Sequence, residues 1–165
     1  MNATKTMNAM LGVLVLGVSM SSAAAQAPAT VKATFVMNRI DAGLTHVRAA
    51  KIVLDDGKKK SPGYVVLFSA RPADGDLSAW HTAEPRERGS FIYLALETTG
   101  EVWSAELGHA ARKDGTIGVV TELRKVSLAV KDGRISGQYR TNGEQAFFDD
   151  RYTVDLTFDA PLEGN

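Results

Sequence analysis

"RYTVDLTFDA", residues 151–160, decides the fold class. Tyr152, Val154, Leu156 and Phe158 take every second position, and Arg151, Thr153, Asp155, Thr157 and Asp159 take the positions between. Side chains of a strand point alternately to its two faces, so this segment buries one face and wets the other, the pattern of an antiparallel sheet.

Just upstream, "VSLAVKDGRISGQY" (126–139) contains Asp132 and Gly133, a pair that tolerates the positive φ angles of a two-residue hairpin turn. Such a turn pairs Lys131 with Arg134, Val130 with Ile135, Leu128 with Gly137 and Val126 with Tyr139. Every inward position but the glycine is then apolar. "FIYLALETTGEVWSAEL" (91–107) repeats the logic: a turn at Thr99 and Gly100 sets Leu96 against Trp103, Leu94 against Ala105 and Ile92 against Leu107.

Earlier segments extend the pattern. "TVKATFVMN" (30–38) alternates, and "GYVVLFSA" (63–70) is a continuous apolar run of the kind buried on both sides. Residues 45–54 contain the helix formers Ala49 and Ala50, but Val47, Ile52 and Val53 favour a strand, which is the expectation here. About eight short strands with no helix-length amphipathic stretch predict an all-β, antiparallel sandwich, with a small up-and-down β-barrel as the alternative. A lipocalin-like barrel would carry an early Gly-x-Trp, whereas Trp80 and Trp103 both fall in the middle of the chain.

The opening residues, "MNATKTMNAMLGVLVLGVSMSSAAAQA" (1–27), carry Lys5 as their only charge, then an apolar run, then small residues. This is the pattern of a cleavable signal peptide, and the run is shorter than the roughly 20 residues that span a bilayer. Cleavage after Ala25 divides the chain into a signal peptide (1–25) and a single β domain (26–165), exported to the periplasm or secreted, of bacterial type, with no transmembrane segment in the mature chain.

Charge and cysteine usage narrow the function. The 19 basic and 19 acidic residues balance, and loss of Lys5 leaves a net charge near −1, so nothing points to nucleic acid. The absence of cysteine excludes a disulfide scaffold, a thiol nucleophile and cysteine metal sites. His46, His81 and His109 show no HxH or HExxH spacing, and no GxSxG elbow appears, so neither a metal nor any other cofactor is expected and a non-catalytic protein is.

"ARPADGDLSAWHTAEPRERGS" (70–90) interrupts the strands. A connection this long within a compact domain is usually functional or disordered. Asp76 is placed to cap one or two helical turns that put Leu77 and Trp80 on one face and stop at Glu84 before Pro85. In one reading Leu77 and Trp80 plug an open end of the sandwich. In the other, Asp76, Trp80, His81, Arg86 and Arg88 form a surface patch for an envelope or secreted protein, since Trp and Arg often dominate interfaces.

Weaker candidates lie elsewhere. Asp74 and Asp76 form a fragment of a calcium loop without its remaining ligands, Asp149 and Asp150 follow two phenylalanines in a connection before the last strand, and Lys58, Lys59 and Lys60 form a solvated charge run. Ser136, Gly137 and Tyr139, in "SGQY", resemble the Ser-Gly-x-x-Tyr loop of bacterial periplasmic lysozyme inhibitors, with one spacer residue instead of two. That four-residue resemblance implies an inhibitor of an envelope hydrolase. A binding module acting through residues 71–89 is the leading expectation, with a small-ligand or lipid carrier as the other alternative.

Overall fold

A computed structural model describes residues 27–112 and 115–164, so the predicted signal peptide lies outside the described residues. The chain is mostly β. Its strands are β1 (Thr30–Met37), β2 (Ile40–Asp41), β3 (His46–Asp55), β4 (Lys60–Ser69), β5 (Phe91–Glu97), β6 (Val102–Gly108), β7 (Thr116–Gly118), β8 (Leu123–Lys131), β9 (Arg134–Thr141), β10 (Gln145–Phe147) and β11 (Asp150–Glu163).

All eleven belong to one open, mixed sheet in the order β2-β1-β11-β3-β4-β5-β6-β7, with β10 and the β8–β9 hairpin also attached through β11. The strand expected at residues 45–54 is β3. The expected count of about eight is corrected to eleven among the described residues, because β2, β7 and β10 are only two or three residues long and too short to show a period. A purely antiparallel sheet is corrected as well. Pro161 does not end β11, and Leu162 and Glu163 run on to pair in parallel with Ala49 and Ala50 of β3.

β11 divides the sheet into two wings that share one core. Phe35 from β1, Tyr139 from β9 and Phe158 from β11 join Phe68 from β4, Leu94 from β5 and Leu107 from β6 in a single buried cluster. Phe68 and Phe158 meet edge to face with centroids 5.4 Å apart. The Tyr139 hydroxyl, pushed far above its usual pKa by burial, donates to the Gly100 carbonyl at 2.7 Å and so ties β9 to the β5–β6 turn. Gly100 is required there twice over: its φ is +86°, and a Cβ would come within 2.8 Å of Leu128.

Both predicted hairpins form, each with one correction. Lys131, Val130 and Leu128 pair as expected with Arg134, Ile135 and Gly137, but a bulge sets Lys125 opposite Tyr139 and leaves Val126 half exposed. In the other hairpin Leu94 and Ile92 meet Ala105 and Leu107, while Leu96 meets Val102 and not Trp103. The loop there closes between Glu97 and Glu101, one residue longer than a two-residue turn. Trp103 is the extra residue that restores the register.

The run in β4 is buried on both sides, as its composition predicts. Val66 and Phe68 enter the shared core, whereas Val65 and Leu67 enter a second cluster on the outer face of β3, β4 and β5. The last hairpin has an unusual tip: Phe148 sits at φ +52° and is 88% exposed. Its turn is held by Asp150, which accepts from Asn38 Nδ2 at 2.7 Å and from Arg112 Nε at 2.9 Å. An L-residue other than Gly or Asn in the left-handed region costs about 1–2 kcal/mol, and a phenylalanine so exposed has little packing to lose. Phe148→Asn should therefore raise the unfolding free energy in urea by about 1 kcal/mol; a loss of stability would contradict this account of the turn.

Candidate functional site: the covered outer face of β3 to β6

Residues 71–89 fold because their caps are local. Asp76 accepts from the Ser78 N–H at 2.9 Å and from the Ser78 hydroxyl at 2.7 Å, opening a 3-10 turn at Leu77–Trp80. Those bonds, the hydroxyl first, hold the Asp76 carboxyl below the usual range, with the charge of Arg48 a smaller cause. Pro85 then starts a four-residue helix, α1 (Pro85–Arg88), at the position where its missing N–H costs nothing.

This segment covers the outer face of β3, β4 and β5. Leu77, Trp80 and Ala83 pack into the cluster of Ala50, Val65, Leu67, Phe91, Tyr93 and Ala95. Trp80 is 3% exposed, edge to face with Phe91 at 5.4 Å, and the Arg88 guanidinium lies 4.9 Å from its ring centroid. The expected plug is thus a cover over a sheet face and not a stopper in an open end. The expectation of an exposed Trp80 is corrected too: alternating small and large apolar side chains on that face leave an apolar surface that the indole fills. Its Nε1–H is buried without a protein partner.

Arg48, on the same face of β3, pins the cover. Its Nε and Nη2 donate to the two carboxylate oxygens of Glu163 at 2.6 and 2.5 Å, and its Nη1 donates to the carbonyls of Ala73 and Gly75 at 2.7 and 3.0 Å. One guanidinium thereby joins β3, the end of β11 and the start of the cover, a fork geometry that lysine cannot provide. Neither Arg48 nor Glu163 stands out in the sequence, because a separation of 115 positions hides the pairing.

Of the predicted site residues, Asp76, His81, Arg86 and Arg88 are exposed on the cover, and only Trp80 lies beneath it. His81 stands edge-on to Tyr93 with centroids 5.7 Å apart, and burial together with the Asp76 charge raises the Tyr93 hydroxyl. Beside the cover, a groove of about 510 Å³ has Ala50, Ile52, Val65 and Leu77 as apolar surface, with Asp76, Ser78 and Glu163 as polar groups. That volume lies within the ~300–1,000 Å³ range of small-molecule sites.

The remaining candidates resolve into structure. Asp55 and Asp56 accept backbone N–H bonds from Gly57, Lys58 and Lys59, which makes the lysine run a hydrogen-bonded turn. Asp150 is engaged by Arg112 and Asn38. Tyr139 of "SGQY" is fully buried in β9, so the protruding loop that the lysozyme-inhibitor resemblance implies is not formed. His109 is buried, its Nε2 lies 3.2 Å from the Ile40 carbonyl, and its Nδ1 accepts from Ala111 N–H, so burial pushes its pKa down. Among the described residues no group of three His, Asp or Glu could hold a metal ion, and no helix is long and apolar enough to cross a membrane.

Compared with known proteins, the chain matches no family model, no curated protein and no solved structure. Only the chemistry of the face itself then bears on function.

Arg48→Met removes the fork while keeping a long apolar stem. It should loosen the cover, so that trypsin cuts after Arg86 or Arg88 at least several-fold faster than in the wild type, at a cost of about 1–2 kcal/mol in unfolding free energy. Unchanged cleavage at those sites, followed by mass spectrometry, would mean that the apolar contacts of Leu77 and Trp80 hold the cover alone.

Proposed function

We propose that the chain is an exported, non-catalytic binding module of sandwich-like build that recognises an envelope or secreted protein through the cover at residues 71–89. Export is supported by the sequence of residues 1–25. The observation that carries the recognition surface is the cover itself: a segment fixed by Arg48 and by the buried Trp80 presents His81, Arg86 and Arg88 on a rigid base beside an open groove. Little ordering entropy then opposes contact.

The alternative of a lipid carrier is less favoured by the interior, where Phe35, Phe68, Tyr139 and Phe158 fill the space between the wings. An inhibitor of an envelope hydrolase remains one form of the same proposal, with the cover as the inhibiting surface.

The test uses the mature chain as bait in an envelope extract from its own source, beside a variant carrying His81→Ala, Arg86→Ala and Arg88→Ala. The rim variant should lose at least ten-fold of a partner's retention while keeping the wild-type circular dichroism. Equal retention by both baits would move recognition away from the cover, and no retained protein would favour the small-ligand reading.

A further inference from the structure

Beyond the cover, we infer that the same outer face carries a second, separate site: a pyranose-binding subsite built on Trp103. It uses none of the residues that support the protein-binding reading, so either can fail without the other.

The placement of Trp103 is the first observation. The β5–β6 loop is one residue longer than a two-residue turn, and Trp103 is the residue bulged out between the pairs Leu96 with Val102 and Ala95 with Ser104. Val102 takes the place against the shared core, and Trp103 packs at the margin of the outer cluster, half-buried. Bulges re-aim side chains in this way next to functional sites.

The chemistry around the indole is the second observation. Trp103 lies in a cleft of about 230 Å³ together with Asp56, Lys59, Ser61, Pro62 and Glu97, at the end of the face that the cover leaves open. Asp56 Oδ1 accepts from the backbone N–H groups of Lys58 and Lys59 at 2.8 and 2.6 Å, which fixes the carboxylate, holds its pKa below the usual range and leaves Oδ2 without a protein partner. Among the described residues the Glu97 carboxylate receives only the Thr99 hydroxyl, at 3.3 Å. The Lys59 ammonium, the Ser61 hydroxyl and the Trp103 Nε1–H make no hydrogen bond within the described residues.

The cleft therefore sets one indole among donors and acceptors, several of them unused. Two carboxylates oppose a phosphate or another anion, and Lys59 opposes the binding of a cation against the indole. So many polar groups around one ring suit neither a lipid chain nor an apolar side chain. A neutral sugar ring answers all of these constraints. Its axial C–H groups lie against the indole, and its equatorial hydroxyls, each both donor and acceptor, reach the surrounding groups. The volume is below that of drug-sized sites, which fits a single ring with the rest of a glycan in solvent.

The experiment is a titration of the ¹⁵N-labelled mature protein with cellotetraose and, separately, with the N-acetylglucosamine tetramer, to about 10 mM. The two tryptophan indole N–H signals are assigned with Trp103→Phe. The Trp103 signal should move saturably with at least one tetrasaccharide at a Kd of about 0.1–5 mM, while the Trp80 signal stays in place. Glu97→Gln and Ser61→Ala should each weaken binding at least three-fold with the Trp80 signal unmoved, which reports an intact fold. No movement of Trp103 with either sugar overturns the inference. So does movement of Trp80 alone, which would place the sugar at the cover, as does binding unchanged in both variants.

Discussion

The guanidinium of Arg48 is the point at which three parts of the chain are held in place. Its two bonds to Glu163 fix the end of β11 beside β3, where the two strands pair in parallel, and its bonds to the Ala73 and Gly75 carbonyls fix the entry to the cover. Two carbonyls at the entry to the cover thus share one charged donor. The planar fork makes this a geometric constraint as much as a source of energy, since its N–H groups point in fixed directions.

Much of the architecture follows from that junction and from the length of β11. A strand of 14 residues borders β1, β9 and β10 and, at its end, β3, so its buried residues Val154, Leu156, Phe158 and Ala160 can serve a core to which both wings contribute. The wing of β3, β4 and β5 is then apolar on both sides. Its inner face is closed by the other wing, and its outer face is closed by Leu77, Trp80 and Ala83. The long connection is for that reason structural in its apolar residues and available for contact in its polar ones. Buried plug and exposed rim are two sides of one segment.

The alternation in residues 151–160, the Asp132 and Gly133 turn and the doubly buried run of β4 were all readable, because strand period and turn chemistry are local properties. The Asp76 cap was readable for the same reason. What the sequence hid depends on contacts across long separations or on single inserted residues. The parallel step from β11 to β3, the Arg48 fork and the depth of Trp80 are of the first kind. The bulges at Val126 and Trp103 are of the second, since one extra residue leaves the apolar pattern on both sides intact while turning a side chain to another face. For the candidate site, the segment was legible, but the division of its residues between cover and rim was not.

The central claim is that Trp80 anchors the cover from beneath. Acrylamide quenching of fluorescence in Trp103→Phe, where Trp80 is the only tryptophan, tests it most directly. The account predicts strong protection in the native chain, with quenching several-fold weaker than in the urea-unfolded chain. Equal quenching in the two states would contradict it, and would make residues 71–89 an open loop with the indole in solvent.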